Sequence, residues 1–114
     1  MRDQSKIKTY ESDPLRHDKI SPLLFLGMKE SFNFVLTKSQ EIQIPLLMQV
    51  SGSDFIVSQE ASRSFFESIS STNKKYINYP ESYHEIFNDL DQEIVFKDYK
   101  SFINEVKNGF KGEL

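Results

Sequence analysis

Two short strand-like runs constrain this chain more than any other feature. They are Leu46-Leu47-Met48-Gln49-Val50 and Lys75-Tyr76-Ile77-Asn78-Tyr79. The first follows Pro45 and leaves through Ser51-Gly52-Ser53; its length and turn-rich exit fit a buried parallel strand better than a helix. The second alternates and stops at Pro80, as a strand does. Between them Ser58 caps a helix with Ala61, Phe65 and Ile69 at i, i+4 and i+8, and Ser70-Ser71-Thr72-Asn73 ends it. Strand, helix and strand of these lengths form a right-handed parallel crossover, so the class is α/β.

The flanks add helices. Residues 1–18 are polar, and Asp13-Pro14 marks a turn or extended segment, because the residue before proline avoids the helical region. Ser21-Pro22 reads as an N-cap and first helical residue. Leu24, Met28, Phe32, Val35 and Leu36 then follow at helical spacing, which predicts a helix over 22–38. Leu23, Phe25, Leu26 and Phe34 spread its apolar surface around most of the cylinder. Beyond the second strand, Asp89 and Gln92 resemble a capping box. Val95, Tyr99, Phe102 and Val106 mark a last helix ending near Asn108-Gly109. The predicted order is helix, strand, helix, strand, helix.

Composition removes several function classes. A length of 114 residues fits one small domain. A net charge of −3, with Lys and Arg spread along the chain, gives no basic footprint for nucleic acid. With no cysteine there is no disulfide, thiolate metal site or cysteine nucleophile. The opening MRDQSKIKTY has no apolar core of a secretory signal, and no run approaches the ~18 apolar residues that span a membrane. A cytoplasmic location is expected.

In open parallel sheets, ligands and reactive groups gather beyond the carboxyl ends of the strands. Asp54 lies past the end of the first strand and His84 past the end of the second. A carboxylate that accepts the Nδ1 proton of His84 would fix its tautomer and leave Nε2 as a general base. Taken singly, each residue has an ordinary explanation. An Asp after Gly-Ser is commonly a turn residue or helix cap, and a lone histidine is commonly a satisfied surface or core group. His17 sits in a polar stretch with no strand end to place it. A metal site from His17 and His84 lacks further ligands at defined spacing, so no metal or cofactor is expected.

The order Asp then His resembles the α/β-hydrolase family, whose triad runs Ser, Asp or Glu, His. Ser12-Asp13-Pro14-Leu15-Arg16-His17 is similar to the SDPLxH signature that follows the cap in monoacylglycerol lipases and related lysophospholipases. Ile44-Pro45-Leu46-Leu47 through Gly52-Ser53-Asp54 resembles their strand and acid loop, and Tyr83-His84-Glu85-Ile86-Phe87-Asn88 resembles their histidine loop. The resemblance covers roughly residues 10–107, and it implies Asp54 as triad acid and His84 as general base.

The family's nucleophile sits in Gly-x-Ser-x-Gly, and none of the four glycines, Gly27, Gly52, Gly109 and Gly112, belongs to such a motif. No His-Gly loop for an oxyanion hole is present either. The expectation is therefore the C-terminal part of an α/β-hydrolase fold, from a truncated or split reading frame. Residues 1–43 would be the end of a cap and a connecting helix, and 44–114 the last two strands and their helices. A serine hydrolase acting on a small-molecule ester or lipid is expected, with the isolated chain inactive. The competing expectation is a non-catalytic remnant or binding module built on the apolar helix. Its partners would be the missing N-terminal half or, through the cut sheet edge, further copies in an oligomer or aggregate.

Overall fold

The computed structural model describes residues 1–111. Strands β1 (Leu46–Ser51) and β2 (Lys74–Tyr79) lie parallel, with Leu46 opposite Lys74 and Ser51 opposite Tyr79. Among the described residues β1 pairs with β2 alone. Leu46 N–H donates to the Asn73 carbonyl at 3.0 Å, and Gly52 N–H to the Tyr79 carbonyl at 2.7 Å. Backbone groups alternate sides along a strand, so the even-numbered residues face β2. The N–H and C=O of Leu47, Gln49 and Ser51 therefore point to the open edge.

Helix α3 (Gln59–Ser68) is the crossover. The Ser58 hydroxyl accepts from Ala61 N–H at 3.1 Å and starts it. Lys74 ends it, its ammonium donating to the carbonyls of Phe66 at 2.8 Å and Ile69 at 2.6 Å. Phe66 packs edge-on against Tyr76 of β2, with ring centres 5.3 Å apart, and the Arg63 guanidinium stacks on the same ring.

Helix α4 (Gln92–Lys111) covers the sheet through a small core of Tyr79, Ile86 and Val95, with Ile77 packed against it. A polar chain crosses that core. The Gln49 amide donates to the Tyr79 hydroxyl at 2.7 Å and to the Val95 carbonyl at 2.9 Å, and the hydroxyl donates to Asp98 at 2.9 Å. Burial, together with the Asp98 carboxylate, pushes the Tyr79 hydroxyl up to about 12, against the Gln49 hydrogen bond. Both strands are thereby tied to α4 at one point.

Helix α2 (Pro22–Lys38) starts as its sequence predicts, with the Ser21 hydroxyl accepting from Leu24 N–H at 3.1 Å and Pro22 in the first turn. None of its side chains is buried: Leu23 is 80% exposed and Phe34 63%. Its principal contact is the 3-10 turn directly after it, Ser39–Glu41. The radius of gyration is 16.9 Å, against about 13 Å for a compact domain of this length, and the protruding helix fits the excess. No described helix is long and apolar enough to cross a membrane.

Three expectations are corrected. The polar opening contains a helix, α1 (Gln4–Glu11), capped by the Asp3 carboxylate on Ser5 and Lys6 N–H; without an apolar stripe it has no periodicity to betray it. Asp89 does not cap α4 in a capping box. It is fully buried, and its carboxylate accepts from Arg2, Tyr83 and Leu90, while the Gln92 side chain accepts from Lys6 at 2.7 Å. Finally, α4 runs through Asn108-Gly109 to Lys111, since neither residue adopts the left-handed turn that would stop it.

Candidate active site

Beyond the last paired residues the two strand exits stay joined. The Ser53 N–H donates to the Ser82 carbonyl at 3.0 Å, and the Ser53 hydroxyl to the Pro80 carbonyl at 2.8 Å. Glycine at 52 allows this approach. A Cβ there would stand 2.7 Å from the Pro80 oxygen and 2.9 Å from its carbonyl carbon, closer than side chains tolerate. The Gln59 amide holds the Gly52 carbonyl from the start of α3.

Asp54 hangs from this joint with its side chain only 6% exposed. One carboxylate oxygen accepts from Ile56 N–H at 2.7 Å and Val57 N–H at 3.1 Å. The other accepts from the Ser51 hydroxyl at 2.9 Å and faces His84 Nδ1 at 3.0 Å. Burial pushes the Asp54 carboxyl up, but the hydrogen bonds from His84, Ile56, Val57 and Ser51 outweigh it. The acid is held well below the usual carboxylate range. An ionised Asp54 selects the tautomer with the proton on Nδ1, leaving Nε2 as the free acceptor.

The histidine is more open, its side chain 43% exposed. It borders a cavity of about 310 Å³ walled by Ile56, Ile7, Tyr10 and Arg16. The Arg16 guanidinium rests 4.2 Å from the Tyr10 ring centre. Phe55 and Tyr83 meet edge to face at 5.4 Å, joining the loops on either side of the Asp54–His84 contact.

The structure thus brings Asp54 and His84 together, 30 residues apart in sequence. His17 stays exposed, its Nδ1 accepting from Lys19 N–H at 3.3 Å. Among the described residues no group of three or more His, Cys, Asp or Glu could hold a metal ion. Sequence reasoning missed the supports: Ser51, Ser53 and Gln59 around the acid, and Arg2, Asp89 and Asp91 behind the histidine. Ser51 and Ser53 flank the Gly52 turn and Asp89 has the spacing of a cap, but none of these signals points to a support for the site.

Two parallel strands whose adjacent exits carry an ionised Asp bonded to a histidine, backed by helices, make up part of an α/β-hydrolase. The family model described as serine aminopeptidase, S33, matches residues 1–91, and the chain belongs to that family. It is 27% identical over 105 residues to the phospholipase YtpA of Bacillus subtilis (strain 168), covering 91% of this chain and 40% of the relative. Its fold is similar to that of the Paleococcus ferrophilus monoacylglycerol lipase, with a TM-score of 0.82 and 28% identity over 90% of this chain and 41% of the lipase. The chain spans about two-fifths of the length of these relatives.

Proposed function

We propose that this chain supplies the acid and the general base of a serine hydrolase that cleaves carboxylic esters of lipid-like acyl groups. The observation that carries the reading is the 3.0 Å contact between Asp54 and His84 Nδ1 at neighbouring strand exits. In the complete site a serine hydroxyl would lie within reach of His84 Nε2. The imidazole would take the hydroxyl proton as oxygen attacks the ester carbonyl, and Asp54 would stabilise the imidazolium. His84 would then protonate the leaving alcohol, and water would cleave the acyl-enzyme by the same relay.

The nucleophile lies outside these residues in this reading, since no Gly-x-Ser-x-Gly occurs in the sequence. The segment carrying it is the partner that covers α2 and pairs with the open edge of β1. Two features support that assignment: α2 is exposed on every side, and the similar lipase has more than half its length beyond the matched part. Burying about 400 Å² of apolar surface is worth roughly 10 kcal/mol before the entropy cost of association.

The test is incubation of residues 1–114 with a p-nitrophenyl ester and a fluorophosphonate probe. No turnover and no serine labelling are expected. Stoichiometric labelling of a serine, with turnover abolished by His84→Ala, would overturn the placement of the nucleophile. A second reading, a binding module built on α2, is favoured by the same bare helix. It predicts apolar ligand or partner binding that is indifferent to His84→Ala.

A further inference from the structure

His84 is held by more than its contact with Asp54. Ser82 and Tyr83, the two residues before it, are each bonded to a carboxylate: the Ser82 hydroxyl donates to Asp91 at 2.6 Å, and Tyr83 N–H to Asp89 at 3.4 Å. Both carboxylates converge on Arg2, 87 residues upstream of Asp89. The Arg2 backbone N–H donates to one Asp89 oxygen at 2.7 Å and its Nε to the other at 3.3 Å, while a terminal guanidinium nitrogen reaches Asp91. Asp89 is fully buried and Asp91 partly so.

A buried carboxylate beside a second carboxylate is costly unless a cation lies between them. The planar fork of arginine can donate in both directions at once. Burial pushes the Asp89 carboxyl up, yet the bonds from Arg2, Leu90 and Tyr83 bring it below its usual range; Ser82 and Arg2 hold Asp91 down against its own burial and the Asp89 charge.

We propose that Arg2 and Asp89 are positioning residues for His84. Arg2 joins the two carboxylates into one clamp, and the clamp fixes the backbone from which the imidazole reaches Asp54. This inference rests on His84 being the base of the proposed site, but its test reads the imidazole itself and needs no turnover.

The experiment is nuclear magnetic resonance of the ¹⁵N-labelled full chain, following the His84 Nδ1–H proton bonded to Asp54. Wild type is compared with Arg2→Ala, Arg2→Lys and Asp98→Asn. The last variant alters the side-chain bonds of the Tyr79 hydroxyl, whose partners are Gln49 and Asp98 rather than Ser82 or Tyr83. Asp54, which meets the imidazole, and Glu85, Glu11 and Arg16, which line the cavity it borders, are unchanged throughout. Arg2→Ala should accelerate exchange of that proton with water at least about tenfold by freeing the loop. Arg2→Lys, a cation without the fork, should fall between Arg2→Ala and wild type. Asp98→Asn should lower the urea midpoint but leave the exchange rate alone. Equal exchange in Arg2→Ala and wild type would overturn the clamp, as would an equal acceleration in Asp98→Asn. A wild-type chain lacking the bonded proton would instead remove the Asp54–His84 contact on which the functional reading stands.

Discussion

The joint of the two strand exits is built mainly of polar residues and the helix α2 mainly of apolar ones, and it is the polar joint that is buried and the apolar helix that is bare. At the joint, Gly52, Ser53 and Asp54 bond across the gap to Tyr79, Ser82 and His84, and Ser82 and Asp89 are fully buried. Along α2, Leu23, Phe25, Phe32, Phe34 and Leu36 are all more than half exposed. The joint is completed by residues of this chain, including Arg2 from the far end of the sequence. The helix has regular capping and, among the described residues, no counterpart that buries it. A helix of this kind owes most of its stability to burial of its apolar side.

Substitution at Gly52 attacks the joint most severely. Gly52→Val places a branched side chain against Pro80, and a loss of roughly 3 kcal/mol or more is expected, read as a fall in the urea midpoint. The bonded His84 proton should vanish with it, because the two exits can no longer approach. A melt unchanged by Gly52→Val would show that the close approach is dispensable.

Next in size is Tyr79→Phe. It leaves the Gln49 amide and the Asp98 carboxylate short of a partner inside the core, at a cost of about 1–3 kcal/mol. The alkaline limb follows from the same group. Its hydroxyl is raised from 10 to about 12 in the fold, so its contribution is fully present below pH 10 and is lost as pH rises towards 12. A difference titration of tyrosinate absorbance against Tyr79→Phe should show that late step.

The acid limb has the opposite sign. Asp54, Asp89 and Asp91 are all lowered from 3.8 in the fold, so their contribution is present above pH ~4 and is lost as pH falls through their depressed values. Acid unfolding followed by circular dichroism should be less steep in Asp54→Ala than in wild type.

The smallest effect on stability belongs to α2. Phe25→Ser with Phe34→Ser should move the urea midpoint by no more than about 0.5 kcal/mol, because neither ring is packed. A large stability loss would mean that α2 is held by the rest of this chain after all.

Much of this organisation was legible in the sequence because it rests on local pattern. Pro45 and Pro80 bracket the strand–helix–strand unit, Ser21-Pro22 and Ser58 mark helix starts, and the strand exits place Asp54 and His84. What escaped was non-local or unpatterned. Helix α1 has a capping Asp3 but no apolar face to give it a period. Asp89 carried the spacing of a cap and became a buried anchor, because Arg2 competes for its carboxylate from across the chain. The Gln49–Tyr79–Asp98 chain spans three elements, and nothing in the sequence of any one of them announces it.

The proposed function makes the Asp54–His84 pair an acid–base unit that works with a nucleophile from outside these residues. The most direct test replaces the matched 105 residues of the Bacillus subtilis phospholipase with this chain and measures ester turnover. The chimera should turn over, and should lose turnover with His84→Ala and with Asp54→Ala. A folded chimera without activity, or one whose activity survives His84→Ala, would contradict it.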